Sequence, residues 1–98
     1  MKKMLINQKQ FDKKLYTSRY LNGQLAVFVH DYSGEPIAEL SIMQNSVELD
    51  PNEFILKEYS ENQEIIKELL ILEKLIPTNR FVLIGPQLCS ICQIKSEV

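Results

Sequence analysis

The sequence predicts an α+β fold: an antiparallel β-meander sheet of about five strands, with one helix over residues 61–75 packed on its apolar face. Three observations predict it. Two turn signals, Asn22-Gly23 and Tyr32-Ser33-Gly34-Glu35, divide alternating apolar and polar runs. A capping signal at Ser60 opens a segment of helical periodicity that ends before Pro77. Two further strand-like runs then flank Gly85-Pro86.

Residues 1–13 are polar, rich in lysine and weakly periodic, and read as a basic arm preceding a single α+β domain over 14–98. Residues 14–21 and 24–31 read as two strands joined by Asn22-Gly23, which suits a type I′ turn. Pro36 to Met43 reads as a third strand, with proline at its first position, where a missing N–H is tolerated. A two-residue loop sets Tyr20 opposite Leu25, Ser18 opposite Val27 and Tyr16 opposite Val29. Pairing Asp31 with Pro36 sets Val29 opposite Ala38, Val27 opposite Leu40 and Leu25 opposite Ile42. One face then carries Tyr16, Ser18, Tyr20, Leu25, Val27, Val29, Ala38, Leu40 and Ile42. The other carries Leu15, Thr17, Arg19, Ala26, Phe28, His30, Ile37, Glu39 and Ser41.

Ser46–Leu49 and Phe54–Leu56 read as short strands around the turn residues Asp50-Pro51-Asn52. In the helix, Ser60 and Gln63 form a capping box. Ile65, Leu69, Leu72 and Ile76 make one apolar stripe, flanked by Ile66 and Leu75. Leu70 and Ile71 fall outside that stripe. Arg80–Ile84 and Leu88–Ile94 read as the last strands, with apolar residues on both faces.

The 98 residues hold one modest core, and 45% apolar with 24% charged residues is ordinary for a globular chain. No apolar run reaches the roughly 20 residues of a membrane span. The N-terminal apolar stretch Met4-Leu5-Ile6 is too short for a signal peptide, so the expected location is cytoplasmic, with both cysteines reduced. Charge is unevenly distributed. Lys2, Lys3, Lys9, Lys13, Lys14 and Arg19 against Asp12 make residues 1–30 net basic. Residues 31–73 set eleven acids against Lys57 and Lys67. That acidic block fits a basic protein partner.

No catalytic or cofactor signature stands out. Cys89-Ser90-Ile91-Cys92 is a lone C-x-x-C in a strand-like run, where positions i and i+3 point to opposite faces, and His30 is the only histidine. A small redox or metal protein built on Cys89 and Cys92 is therefore a minor alternative, and two packed core thiols the main reading. The acids lack the order of a calcium loop, and the three glycines form no phosphate loop. Neither a cofactor nor a metal is expected. Direct nucleic-acid binding is disfavoured by the net charge of −2, although the arm keeps a nucleic-acid-associated regulatory or maintenance role as an alternative. The candidate partner-binding residues are Arg19, Phe28, His30 and Glu39 on the mixed face, the acids Glu61, Glu64 and Glu68, and the off-stripe Leu70 and Ile71. A homodimer is a further option for the off-stripe helix face.

The run Val29-His30-Asp31-Tyr32-Ser33-Gly34-Glu35-Pro36-Ile37-Ala38-Glu39-Leu40-Ser41 resembles the second hairpin of an uncharacterised family of small accessory proteins. Its members come from phages, plasmids and conjugative elements of Gram-positive bacteria. The shared elements are the apolar strand, D-x-x-G-E-P and a following small-x-Leu-Ser strand; the later elements, to about residue 95, occur in the same order. The resemblance implies a non-enzymatic protein-binding accessory protein of a mobile genetic element. It would be an inhibitor of a host defence nuclease such as a CRISPR effector, and so anti-CRISPR-like. Such effectors hold nucleic acid in basic channels, which the acidic block complements.

Overall fold

The computed structural model describes residues 13–59 and 62–95. The basic arm up to residue 12, with Ser60 and Glu61 of the predicted helix start, lies outside the described residues. The described chain is an α+β structure of antiparallel strands and a single helix. The predicted single sheet is corrected: seven strands form two sheets, ordered β1-β2-β3 and β4-β5-β7-β6. In chain order these are β1 (Lys14–Arg19), β2 (Leu25–His30), β3 (Pro36–Glu39), β4 (Ser41–Ile42), β5 (Glu53–Leu56), α1 (Gln63–Ile71), β6 (Leu75–Ile84) and β7 (Gln87–Ile94).

The first hairpin departs from the predicted register by one residue. Tyr20 N–H donates to Gln24 O and Gly23 N–H to Tyr20 O, both at 2.9 Å, so the loop holds three residues rather than two. Only Gly23 in that loop has positive φ, at +88°, whereas a type I′ turn needs it at Asn22 as well. Arg19 therefore pairs with Leu25, Thr17 with Val27 and Leu15 with Val29. The slip flips β1: Leu15 packs against the core, and Tyr16 turns outward with Phe28. Burying leucine in place of tyrosine spares a phenol that would need a buried partner. Across the second turn Val29 pairs with Ala38 and Phe28 with Glu39, as the sequence predicts, although a bulge sets His30 rather than Asp31 opposite Pro36. The Asp31 carboxylate accepts from the N–H groups of Ser33 and Glu35, each at 2.9 Å, and Gly34 sits at φ +93°. The D-x-x-G-E-P run is thus the chemistry of this turn.

The predicted third strand is two strands, because Leu40 serves both sheets. Its N–H donates to Val27 O in the first sheet, and its carbonyl accepts from Lys57 N–H beside the second, each at 2.8 Å. Three side chains bolt this corner. Tyr20 OH donates to a Glu39 carboxylate oxygen and meets the Ser41 hydroxyl at 2.8 Å. Val27 N–H donates to the buried Ser41 hydroxyl at 2.8 Å. Asn62 donates to the carbonyls of Glu39, at 2.9 Å, and Lys57, at 3.1 Å. Ser46–Leu49 is a loop rather than a strand, held by the Gln24 amide, which bonds Gln44 O, Val47 O and Gln44 N–H.

The helix is shorter than predicted. Its N-cap is Asn62 and its C-cap Leu72. Glu73 adopts φ +59°, and Lys74 N–H bonds Leu69 O while Glu73 N–H bonds Leu70 O. This is a Schellman stop, four residues before Pro77. Leu75 and Ile76 therefore belong to β6, the first buried and the second exposed. Ile66 and Leu69 are buried against Leu25, Val27, Val29, Leu40, Phe54, Leu56, Leu75 and Cys92, with Ile65 and Leu72 at the margin. This core lies between both sheets and the helix. A second, smaller cluster of Ile55, Cys89 and Ile91 fills the opposite face of the second sheet. There Glu53, 3% exposed, takes Arg80 Nη1 on both carboxylate oxygens, at 2.9 and 2.8 Å.

Candidate functional site

The outer face of the first sheet carries Tyr16, Phe28, His30, Ile37 and Glu39, which share one side by register. The rings of Tyr16 and His30 meet edge to face, with centroids 4.3 Å apart. His30 Nδ1 is buried with no hydrogen-bond partner among the described residues. Phe28 is half-buried and faces Glu39, as predicted. Arg19 is not beside them. The register slip puts it on the inner side of β1 at the hairpin end, where it borders an open polar cleft of about 750 Å³. The predicted pairing of an exposed arginine with Phe28 is therefore overturned, and Tyr16 takes that place.

The cleft lies between the first hairpin turn and residues 45–51, lined by Arg19, Asn22, Gln24, Asn45, Asp50 and Arg80 among others. Its polar groups are largely engaged with one another. Gln24 holds the loop, Asn22 donates to Asn45 at 2.9 Å, and Arg80 is paired with Glu53. The Asp50 N–H and the Arg80 guanidinium hold the Glu53 carboxyl below the usual carboxylate range.

On the helix, Glu64, Glu68 and Ile71 border a groove of about 390 Å³ that also includes Lys13, Ile65 and Leu72. Leu70 and Ile71 are exposed, with Ile71 at 73%; Glu61 lies outside the described residues. The acidic block is not uniformly a surface. Glu35, Glu39, Glu48, Asp50, Glu64 and Glu73 are exposed, whereas Glu53 is spent on Arg80 and Glu58 accepts from Ser90 N–H at 3.1 Å.

Cys89 and Cys92 are free, buried and on opposite faces of β7, the first in the small cluster and the second in the main core. Burial, with Glu58 adding its charge, pushes the Cys92 thiol up to about 11 and raises Cys89 as well. Among the described residues, no group of three or more His, Cys, Asp or Glu side chains is placed to hold a metal ion. No helix there is long and apolar enough to cross a membrane.

A further exposed apolar surface lies outside the sequence-derived candidates. Phe81, Leu83 and Leu88 are 57%, 65% and 60% exposed on one face of the β6–β7 hairpin. Leu83 pairs directly with Leu88, and Phe81 with Ser90. The opposite face of the hairpin is packed by Val82, Ile84 and Cys89 against the small cluster. The signal was present in the sequence: alternation in Phe81-Val82-Leu83-Ile84 is apolar on both sides, which marks a strand meant to be covered twice. Only one covering exists among the described residues. The chain matches no known protein family, no curated protein and no solved structure.

Proposed function

We propose that this chain is a non-enzymatic protein-binding accessory protein of a mobile genetic element, and that its partner docks on the outer face of the β6–β7 hairpin. The observation that carries the reading is the bare triad of Phe81, Leu83 and Leu88 on a strand pair whose reverse side is already packed. A contiguous apolar patch with an aromatic anchor is the usual centre of a protein interface. The exposed acids Glu35, Glu39, Glu48, Asp50, Glu64 and Glu73 favour a basic partner, and the hairpin resemblance suggests a host defence nuclease of the CRISPR class.

The test is affinity capture from lysate of a Gram-positive host, with the wild type compared against Leu88→Asp. Circular dichroism confirms that the variant folds. The expected result is a single protein recovered by the wild type and lost at least tenfold from the variant. Equal recovery by both, or recovery of no protein, overturns the reading.

A further inference from the structure

Strand β6 ends the order β4-β5-β7-β6, and among the described residues it pairs only with β7. An edge strand presents a row of backbone donors and acceptors, which proteins ordinarily blunt with charges, prolines or bulges. Here that protection covers only half of the strand. Pro77, the bulge between Pro77 and Arg80, Asn79 at φ +68° and the charge of Arg80 all lie in the first part. Phe81-Val82-Leu83-Ile84 has none of these features. The other edges are less open to pairing: β1 carries Lys14 and Arg19, β3 begins with Pro36, and β4 spans two residues.

We propose that β6 pairs antiparallel with β6 of a second copy of this chain, across a two-fold axis at Val82. The geometry names the occupant and its register. The bulge at one end and the Gly85-Pro86 turn at the other leave a regular edge from Arg80 to Ile84, whose midpoint is Val82. Antiparallel pairing about that midpoint sets Val82 against its own copy, Phe81 against Leu83 of the partner and Arg80 against Ile84 of the partner. Every apolar residue meets an apolar one except Ile84, which meets the aliphatic stem of Arg80. No like charges face each other. The two-fold axis stands perpendicular to the sheet, so both triads share one side. Two patches of Phe81, Leu83 and Leu88 become one continuous band across an eight-stranded sheet, made from two copies of the four-stranded one. The contact is short, below the roughly 1,200 Å² of standard-size interfaces, so the association is concentration-dependent. It goes beyond the docking proposal and stands without it, because it uses the edge of the hairpin and leaves the face open.

Sedimentation of the full chain over a concentration series tests it. The expected result is a mass rising from 11.4 kDa towards twice that value. Leu83→Lys, at an exposed position on the edge, is expected to remain at the monomer mass throughout, with an unchanged dichroism spectrum. In a Cys89→Ser background, which removes the thiol paired with position 82 in the same chain, Val82→Cys is expected to oxidise to a covalent dimer on a non-reducing gel, where Ile84→Cys and the background protein do not. A wild type that remains monomeric at its highest soluble concentration overturns the proposal. So does a Leu83→Lys protein that dimerises like the wild type, or cross-linking at 84 but not at 82. Leu88→Asp lies on β7, away from the edge, and is expected to dimerise normally, which separates this test from that of partner docking.

Discussion

Replacing Arg80 by methionine should destabilise the protein more than replacing Glu53 by glutamine, although both break the same ion pair. The asymmetry follows from exposure. The Glu53 side chain is 4% accessible and that of Arg80 49%. Without Glu53, the guanidinium returns to water and keeps a contact of 3.4 Å to Glu48 O. The glutamine oxygen also still accepts from Asp50 N–H, now at 3.0 Å. The cost is then a charge-assisted bond turned neutral, about 1 kcal/mol. Without Arg80, a buried carboxylate keeps only the Asp50 N–H. Stripping one partner from a fully buried pair costs about 3–5 kcal/mol, and the half-exposed arginine site admits enough water to bring this to about 2–3 kcal/mol. That corresponds to a melting temperature about 10–15 °C lower, against about 5 °C for Glu53→Gln. Acidity sharpens the test. Because the folded state lowers the Glu53 pKa, the pair contributes fully above the unfolded value of about 4.3, and the contribution is lost as pH falls through the lower native value. Wild type and Glu53→Gln should therefore converge at low pH, while the acid limb of Arg80→Met moves to higher pH. Urea titrations at several pH values measure all three. Equal losses for the two variants at pH 7, or a difference between wild type and Glu53→Gln that persists below pH 2, would refute the argument.

Glu73→Gly should stabilise the protein by about 1 kcal/mol, since Glu73 holds φ +59° at the Schellman position where glycine has no Cβ penalty; thermal denaturation reads the gain. Ser41→Ala should cost about 1–3 kcal/mol by orphaning the buried Val27 N–H, whereas the exposed Ile71→Lys should change stability by less than about 0.5 kcal/mol in the same urea assay. Native Cys92 should react with a disulfide reagent at pH 8 only as fast as the protein opens, because burial holds the thiol up near 11, and low urea should accelerate the reaction. Rapid modification of the folded protein, at the rate of a free thiol, would contradict that placement.

What was legible in the sequence was local. Gly23 and Gly34 sit at positive φ in the two turns that their neighbours announce, and Val29 meets Ala38 as expected, with a bulge between that pair and the shifted His30–Pro36 pair. The helix is found where its stripe is, with Ile66 and Leu69 inward and Leu70 and Ile71 outward. What failed depended on small or distant energies. One extra loop residue flipped β1 and separated Arg19 from Phe28, since period-two strands convert a slip of one into a change of face. The helix ended at Glu73 through a conformation that propensity disfavours, because it allows Leu75 to enter the core as a strand residue. The passage from one sheet to the other at Leu40 rests on Lys57, seventeen residues away, and no local pattern announces it.

A strand that is apolar on both sides has no preferred face until the rest of the chain declares which side is covered. In β6 the small cluster, with Val47, Leu49 and Tyr59, packs Val82 and Ile84, and Phe81 and Leu83 stay bare. Pro77, the bulge and Arg80 guard the half of the strand nearest the core, while the four residues beyond them carry no such guard. An edge whose guard ends where the exposed triad begins is the arrangement expected of a surface kept open for another chain.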